Sequence, residues 1–341
     1  MTARPSTDTG LLHQRARGAA AAIARVRLER AMEKAAPLLV AVDADAAATI
    51  GNDEVHAFRV ALRRLRSWLR ASDRLLRREV ARDARSALRR LARCAGAARD
   101  AQVHWKWFTA PSEPRGAPAT RAALWLAGEQ LALYAAERER LHHKASERWP
   151  RLATTLAESL AAHGDAEPPG PDNTLAEHLA PALSRDLELA RRALDRIEHP
   201  TQVAVIHRAR IKVKRLRYLL EAIEHRSPHR ARALKQLRLL QDTLGELHDA
   251  HEMSALLTPL LVPHRRLRRA PVRRPPLRDL RALRAALRRR ELAAFRRSLD
   301  LAGSLEVERA WQYIASLAIR LGAPRESATQ SPRPANARPD R

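Results

Sequence analysis

The chain has 341 residues, which is long enough for two domains of ordinary size, each with a sizeable core. Its 64 Lys and Arg residues against 38 Asp and Glu residues give a formal charge of +26, which predicts an extended polyanion or an acidic surface as the partner. The single cysteine, Cys94, excludes an intramolecular disulfide framework, and no secretory signal or membrane-spanning apolar run is visible. We therefore expect a soluble, cytoplasmic protein that does not enter a membrane.

The first half of the chain is predicted to be helical. Its four helical segments cover residues 11–50 (one helix or a broken pair), a motif helix that ends near residue 76, 80–108 and 119–163. Residues 164–172, rich in Pro and Gly, then form the strongest linker pattern, close to the middle of the chain. We predict a domain boundary there, so that the first unit spans residues 8–164.

The second half repeats this plan. Its helices are predicted over residues 174–197, 203–224, 230–261 and 277–321. The second unit therefore spans residues 173–322, and residues 323–341, rich in Pro, Ser and Arg, are typical of a disordered tail. Because no segment shows the apolar and polar alternation of a strand, the predicted fold class is all-α. We expect two antiparallel four-helix bundles, each burying the apolar stripes of its own helices.

Two of these helices share one sequence pattern. Residues 55–69, VHAFRVALRRLRSWL, are matched by residues 206–220, IHRARIKVKRLRYLL, 151 positions later (His56 to His207). This match predicts an internal duplication. At about 100° per residue, the cations of each copy form one stripe beside an apolar stripe. Like charges stacked along a helix cost about 0.2–0.5 kcal/mol per pair, so the stripes favour an anionic partner over a merely solvated surface.

The third predicted helices share a second element. Residues 96–100, GAARD, are matched by residues 245–249, GELHD. Glycine inside a helix costs about 1 kcal/mol relative to alanine, which suggests a reason such as close helix packing. Arg99 and His248 would each add a cation to the neighbouring stripe. Asp100 and Asp249 either orient a nearby arginine or form ordinary salt bridges.

These motifs resemble those of the CHAD family, the conserved-histidine α-helical domain. The resemblance rests on H-x-x-R-[VI]-x-x-[RK]-R-L-R at residues 56–66 and 207–217, on G-x-x-[RH]-D at residues 96–100 and 245–249, and on LKQLRLLQDTLGELHDA at residues 234–250. It covers about residues 8–321. The resemblance implies two bundles related by a pseudo-two-fold axis, with their basic stripes facing a central cavity. It also implies that the protein binds inorganic polyphosphate, often at polyphosphate granules.

The resemblance also implies a set of ligand-binding residues. They are His56, Arg59, Arg63, Arg66 and Arg99 from the first repeat, and His207, Arg210, Lys214, Arg217, Lys235 and His248 from the second. Arg70 is left out of this set because Glu221 occupies its place in the second copy. Histidines among so many cations should have lowered pKa values unless a polyanion is bound.

Three other interpretations fit parts of the pattern. Nucleic acid is the strongest alternative partner, because RNA or DNA would also bind so basic a chain by counterion release. A histidine phosphotransfer domain would resemble His-x-x-Lys-Gly, but Val60 and Ile211 occupy the place of the small residue. A metal site on the segment with His248, Asp249, His251 and Glu252 is disfavoured by the surrounding arginines. We therefore expect a binding protein that is not an enzyme and needs no cofactor or metal.

Overall fold

The computed structural model describes residues 9–40, 52–76, 80, 82–109, 116–162, 173–223, 227–262 and 275–323. Of these residues 91% lie in helices and none lies in a strand, so the predicted all-α class is confirmed. The predicted linker at 164–172 and residues 324–341 of the predicted tail lie outside the described residues. Within the described residues, a site must be built from helix faces because almost all of them are helical.

Five α-helices are described in the first half. After a 3-10 helix at Thr9–His13, they are α1 (Ala16–Val40), α2 (Asn52–Ala71), α3 (Asp73–Leu76), α4 (Arg82–Thr109) and α5 (Ala117–Ala161). The prediction that the motif helix continues to residue 76 is wrong, because a turn at Ser72 separates α2 from α3. Arg85 of α4 fixes this turn by donating from Nη2 to the carbonyl oxygen of Leu76 at 3.0 Å and by pairing with Asp73.

The described part of the second half also contains five α-helices. They are α6 (Leu175–Asp195), α7 (Val203–Ala222), α8 (Pro228–Leu261), α9 (Leu277–Ala302) and α10 (Leu305–Gly322). The single helix predicted over 277–321 is wrong, because the chain breaks at Gly303 and Ser304. Ser304 is the N-cap of α10, and its Oγ accepts a hydrogen bond from the backbone N–H of Val307 at 3.3 Å.

The hydrophobic core runs through both halves of the chain. Helices α1, α2, α4 and α5 pack together in the first half, and α6, α7, α8 and α10 pack together in the second. Their buried side chains form one continuous cluster that includes Leu65 and Trp149 from the first half and Leu216 and Leu240 from the second. The apolar stripes are thus buried as predicted, and the two halves also share one core.

A second, smaller cluster also joins the two halves. Phe108 and Leu126, from α4 and α5, pack with Met253 and Leu283, from α8 and α9. We call this group the bridging cluster. It forms because α9 packs against α5 as well as against α8.

The two motif helices, α2 and α7, contact each other between the halves. Arg64 of α2 donates from Nε to Oε2 of Glu221 on α7 at 3.3 Å, and Glu221 also accepts a hydrogen bond from Arg217. Glu221 is the residue that stands where the first copy has Arg70. This departure between the copies therefore has a structural role, because the carboxylate ties one motif helix to the other.

Candidate anion-binding site

Five cations of the two motif helices come together where α2 meets α7. We call this group the central cluster: Arg59 and Arg63 from α2, with Arg210, Lys214 and Arg217 from α7. Burial, reinforced by Arg210 and Arg63, lowers the pKa of Lys214 to about 6. Burial also lowers the pKa values of Arg59 and Arg63, although both guanidinium groups stay charged. The protein thus concentrates positive charge in a partly desolvated place, at a cost to its own stability.

Few carboxylates compensate this charge. Asp100 accepts a hydrogen bond from Nη2 of Arg59 at 3.2 Å, and Arg217 is held by Glu221 and by Oε1 of Gln241 at 3.0 Å. Within the described part of the chain, no carboxylate oxygen lies within 4.0 Å of a side-chain nitrogen of Arg63, Arg210 or Lys214. Three cations of the central cluster are therefore left for an anion from outside the protein.

Two histidines extend the central cluster toward α8. The rings of His207 and His248 lie 4.8 Å apart between centroids. Burial, together with Arg210 and His207, lowers the pKa of His248 to about 4, and burial also lowers the pKa of His207. The lowered pKa predicted for the motif histidine His207 is thus found. Both rings are neutral at pH 7 in this state.

Three nitrogens of these rings and of the adjacent Arg210 have no hydrogen-bond partner among the residues that the structure describes. They are Nδ1 of His207, Nδ1 of His248 and Nε of Arg210, and all three atoms are buried. Buried polar groups in folded proteins are nearly always hydrogen-bonded to protein or to ordered water, so these three atoms are available to water or to a ligand. A ligand oxygen would supply the missing partner.

The two glycines of the shared element lie in different surroundings. At Gly245 the guanidinium of Arg210 lies against the helix, with Nε 3.5 Å from the position of an added Cβ. At Gly96 an added Cβ would meet nothing within 4 Å, so the expectation of close helix packing is wrong there. Gly245 therefore provides the surface on which Arg210 rests.

We expect Gly245→Leu to weaken anion binding by about tenfold, because the larger side chain displaces Arg210 from α8. Gly245→Ala should leave binding unchanged, since its Cβ makes only ordinary contact, and should add up to about 1 kcal/mol of helix stability. Gly96→Leu is the matched control. Anion titration and thermal unfolding of the three variants measure both effects. If Gly245→Leu bound the anion as tightly as wild type, binding would not require Arg210 to lie against Gly245.

Asp100 and Asp249 lie near Arg59 of the central cluster. Asp100 holds Arg59, which fits the expectation that it orients a neighbouring arginine. Burial raises the pKa of Asp249, while the positive charge of Arg210 opposes this shift. Asp100 therefore helps to place Arg59, and within the described residues neither carboxylate forms an ion pair with Lys214.

The remaining residues of the implied set lie around or away from the central cluster. His56 is exposed on α2, and Arg99 donates a hydrogen bond to Gln102 on its own helix. Arg66 lies at the outer end of the α2 stripe, where burial and the charges of Arg89 and Arg93 lower its pKa. Lys235 is exposed on α8, six residues before Gln241, which turns it about 120° away from that residue. The structure thus brings most of the implied set together, but not Lys235.

Several cations beside the site were not predicted from the sequence. Arg70, which was left out, lines a cavity between α2, α6 and α7 together with Arg185 and Arg215. Arg89 and Arg93, one turn apart on α4, flank Arg66. Its spacing places Arg70 on the α2 stripe, and only the match to Glu221 kept it out of the ligand set, whereas Arg185 belongs to no repeated motif.

The interpretation as a metal site finds little support in this arrangement. His251 shares a hydrogen bond of 3.0 Å between its Nε2 and Oε1 of Glu291 on α9, which turns it away from the other residues of that segment. Among the residues that the structure describes, no group of three or more His, Cys, Asp or Glu side chains could hold a metal ion.

Comparison with known proteins gives the family of this chain. A family model for the CHAD domain matches residues 30–258, a span that holds both copies of the histidine and arginine motif and both glycine elements. The chain belongs to the CHAD family. A search of curated proteins gave no match.

Two solved structures share the CHAD fold of this chain. The crystal structure of the CHAD domain from the plant Ricinus communis matches with a TM-score of 0.64 and 23% identity, covering 88% of this chain and 92% of that one. PptA from Streptomyces chartreusis matches with a TM-score of 0.53 and 18% identity, covering 91% of this chain and 100% of the other. At these identities the likeness concerns the fold alone. No helix in the described ranges is long and apolar enough to span a membrane.

Proposed function

We propose that this CHAD protein binds inorganic polyphosphate between α2 and α7 and that it is a binding protein rather than an enzyme. The observation that carries the proposal is the central cluster, in which Arg63, Arg210 and Lys214 meet without a carboxylate partner within 4.0 Å among the described residues. Such a cluster is unfavourable until an anion enters, because burial and mutual repulsion both oppose the charged state of Lys214.

Polyphosphate fits this site by its chemistry. It carries a negative charge on nearly every unit and offers no base or other group for recognition. Guanidinium groups bind phosphate oxygens with two parallel hydrogen bonds, which explains the preference for arginine over lysine in both stripes. The distance along α2 from His56 to Arg70 is about 21 Å at 1.5 Å per residue, so that one stripe can follow several phosphate units.

The pair formed by His207 and His248 supports binding. The two rings lie 4.8 Å apart between centroids, and the Nδ1 atom of each is buried without a hydrogen-bond partner among the described residues. As neutral groups they would donate or accept hydrogen bonds at the edge of the bound chain. We further propose a cytoplasmic location at polyphosphate granules, where a tagged protein should colocalise with the polymer.

A side-by-side titration tests the proposal. Purified protein is titrated with polyphosphate, single-stranded RNA and duplex DNA at about physiological salt, with the salt concentration then varied for each ligand. We expect polyphosphate to bind most tightly, because the described site offers cations without stacked aromatic surfaces for bases. Tighter binding of RNA or DNA would make this a nucleic-acid-binding protein instead.

A further inference from the structure

A cavity of about 320 Å³ opens beside the central cluster. It lies where α6 joins α2 and α7, and its charged lining is dominated by arginines. Three of these arginines lie outside the implied ligand set: Arg70 from α2, Arg185 from α6 and Arg215 from α7. Each comes from a different helix, so the fold alone brings them together.

The arginines of this cavity outnumber its acids. Asp186 is its acidic lining residue, and Oδ1 of Asp186 lies 3.7 Å from Nε of Arg185. Within the described residues, no carboxylate oxygen lies within 4.0 Å of the guanidinium groups of Arg70 and Arg215. Burial and the charge of Arg70 lower the pKa of Arg215. The cavity therefore repeats, on a smaller scale, the uncompensated charge of the central cluster.

The cavity is continuous with the central cluster. Arg63 and Lys214 belong to the central cluster and also line the cavity, next to Arg66. From Arg59 to Arg70 the distance along α2 is about 17 Å, so a ligand that begins at the central cluster must be several phosphate units long to enter the cavity.

The repeat itself does not produce this cavity. Arg215 corresponds to Arg64 of the first copy at the same spacing of 151 residues (His56 to His207). Arg64 is bonded to Glu221, and its own carbonyl oxygen accepts a hydrogen bond from Nη1 of Arg27 at 3.1 Å. One copy thus uses this arginine to join the helices, while the other copy presents it to the cavity.

We propose that the cavity between α2, α6 and α7 is a second anion subsite that binds further phosphate units of a polyphosphate chain held at the central cluster. This inference rests on the proposed function. The subsite makes binding depend on chain length: triphosphate fills the central cluster alone, and a long chain reaches Arg70, Arg185 and Arg215 as well.

The test compares two ligands with two triple variants. In the first variant, Arg70→Gln, Arg185→Gln and Arg215→Gln remove the charge of the cavity. In the control, Arg151→Gln, Arg309→Gln and Arg320→Gln remove the same net charge from exposed positions that do not line the cavity. Inorganic triphosphate and long-chain polyphosphate are titrated against wild type and both variants, and circular dichroism checks that the helices are kept.

We expect the cavity variant to bind long chains at least about tenfold more weakly than wild type, with a shallower salt dependence, and triphosphate within about threefold. The control should bind both ligands within about threefold of wild type. Equal losses for both ligands, or no loss for long chains, would overturn the subsite.

A single substitution at an exposed position tests the subsite even if the triple variant fails to fold. Arg185 is 67% exposed, so Arg185→Glu should fold and still weaken the binding of long chains selectively. If wild type binds long polyphosphate but Arg185→Glu and the cavity variant bind it equally well, the subsite fails while the proposed function stands. If wild type binds neither phosphate ligand, the proposed function itself fails, and the subsite with it.

Discussion

The double reversal Arg59→Glu and Arg63→Glu is expected to weaken polyphosphate binding by roughly 10²–10⁴-fold, and Arg210→Glu with Lys214→Glu should do the same. A charge-assisted contact contributes about 1.5–3 kcal/mol, and each double variant removes two of them from the central cluster. Both losses are expected at full size because α2 and α7 line one site. The cations of α2 alone, or those of α7 alone, would make too few contacts to hold the polyphosphate.

A titration that reports stoichiometry decides whether the site is shared. The control reverses Arg151 and Arg309, which changes the net charge by the same amount at exposed positions on α5 and α10. Reduced affinity in both site variants and little change in the control is the expected pattern. Binding that persists at half the wild-type stoichiometry in each site variant would mean two independent sites.

The second large effect concerns stability. Lys214→Met should raise the free energy of unfolding at pH 7 by about 1–4 kcal/mol, because folding of the wild type must either remove the proton of Lys214 or bury a repelled ammonium, and an apolar chain of similar length avoids both costs. The same change should weaken polyphosphate binding by about tenfold or more. Chemical denaturation and titration of one preparation would measure both. If Lys214→Met were less stable than wild type, burial of Lys214 among arginines would not be unfavourable as we infer.

The pH dependence of stability tests whether the lowered pKa of Lys214 causes this instability. The folded-state pKa of Lys214 is about 6, below the ordinary value of 10.5, so between these values the unfolded chain binds more protons than the folded one. The contribution of Lys214 to stability is therefore complete above pH 10.5 and is lost as the pH falls toward 6. Lys214→Met should remove this slope, whereas Lys106→Met, at an exposed position on α4, should keep it.

The same titration affects binding. Arg59, Arg63, Arg210 and Arg217 surround Lys214 and disfavour its proton, whereas a bound polyanion favours it. When polyphosphate binds at pH 7–8, Lys214 should therefore take up close to one proton. The affinity for polyphosphate should fall as the pH rises from 6 to 9. Calorimetry in two buffers of different ionisation enthalpy counts that proton, and Lys214→Met should abolish the uptake.

Much of the site follows from the spacing of residues on a helix. The 3.6-residue period is enough to place Arg59 and Arg63 on one side of α2 and Arg210 and Lys214 on one side of α7. No local pattern encodes which helices become neighbours. The meeting of the two sides was therefore implied only by the family resemblance. Arg185 shows the limit clearly, since it enters the cavity only through the packing of α6 beside α7.

The errors in the predicted fold have local causes. The break before α10 depends on a single serine cap, and Ser304 follows a glycine inside an otherwise continuous helical pattern. The turn at Ser72 is held by Arg85 of the following helix, which binds the carbonyl oxygen of Leu76 nine residues earlier, so no pattern within α2 predicts it. Gly96 and Gly245 look alike in the sequence, yet only the second has a side chain resting on it, and we have no physical account of Gly96.

The bridging cluster has a consequence for how the chain folds during its synthesis. Phe108 and Leu126 find their partner Leu283 only when α9 has been made, more than 150 residues after Leu126. At about 5–20 residues per second, a ribosome leaves this apolar patch uncovered for roughly 10–30 s. Contacts so distant in sequence also slow folding. A nascent chain that carries only the first half is therefore expected to be prone to aggregation, and release of chains truncated before α9 should yield insoluble protein.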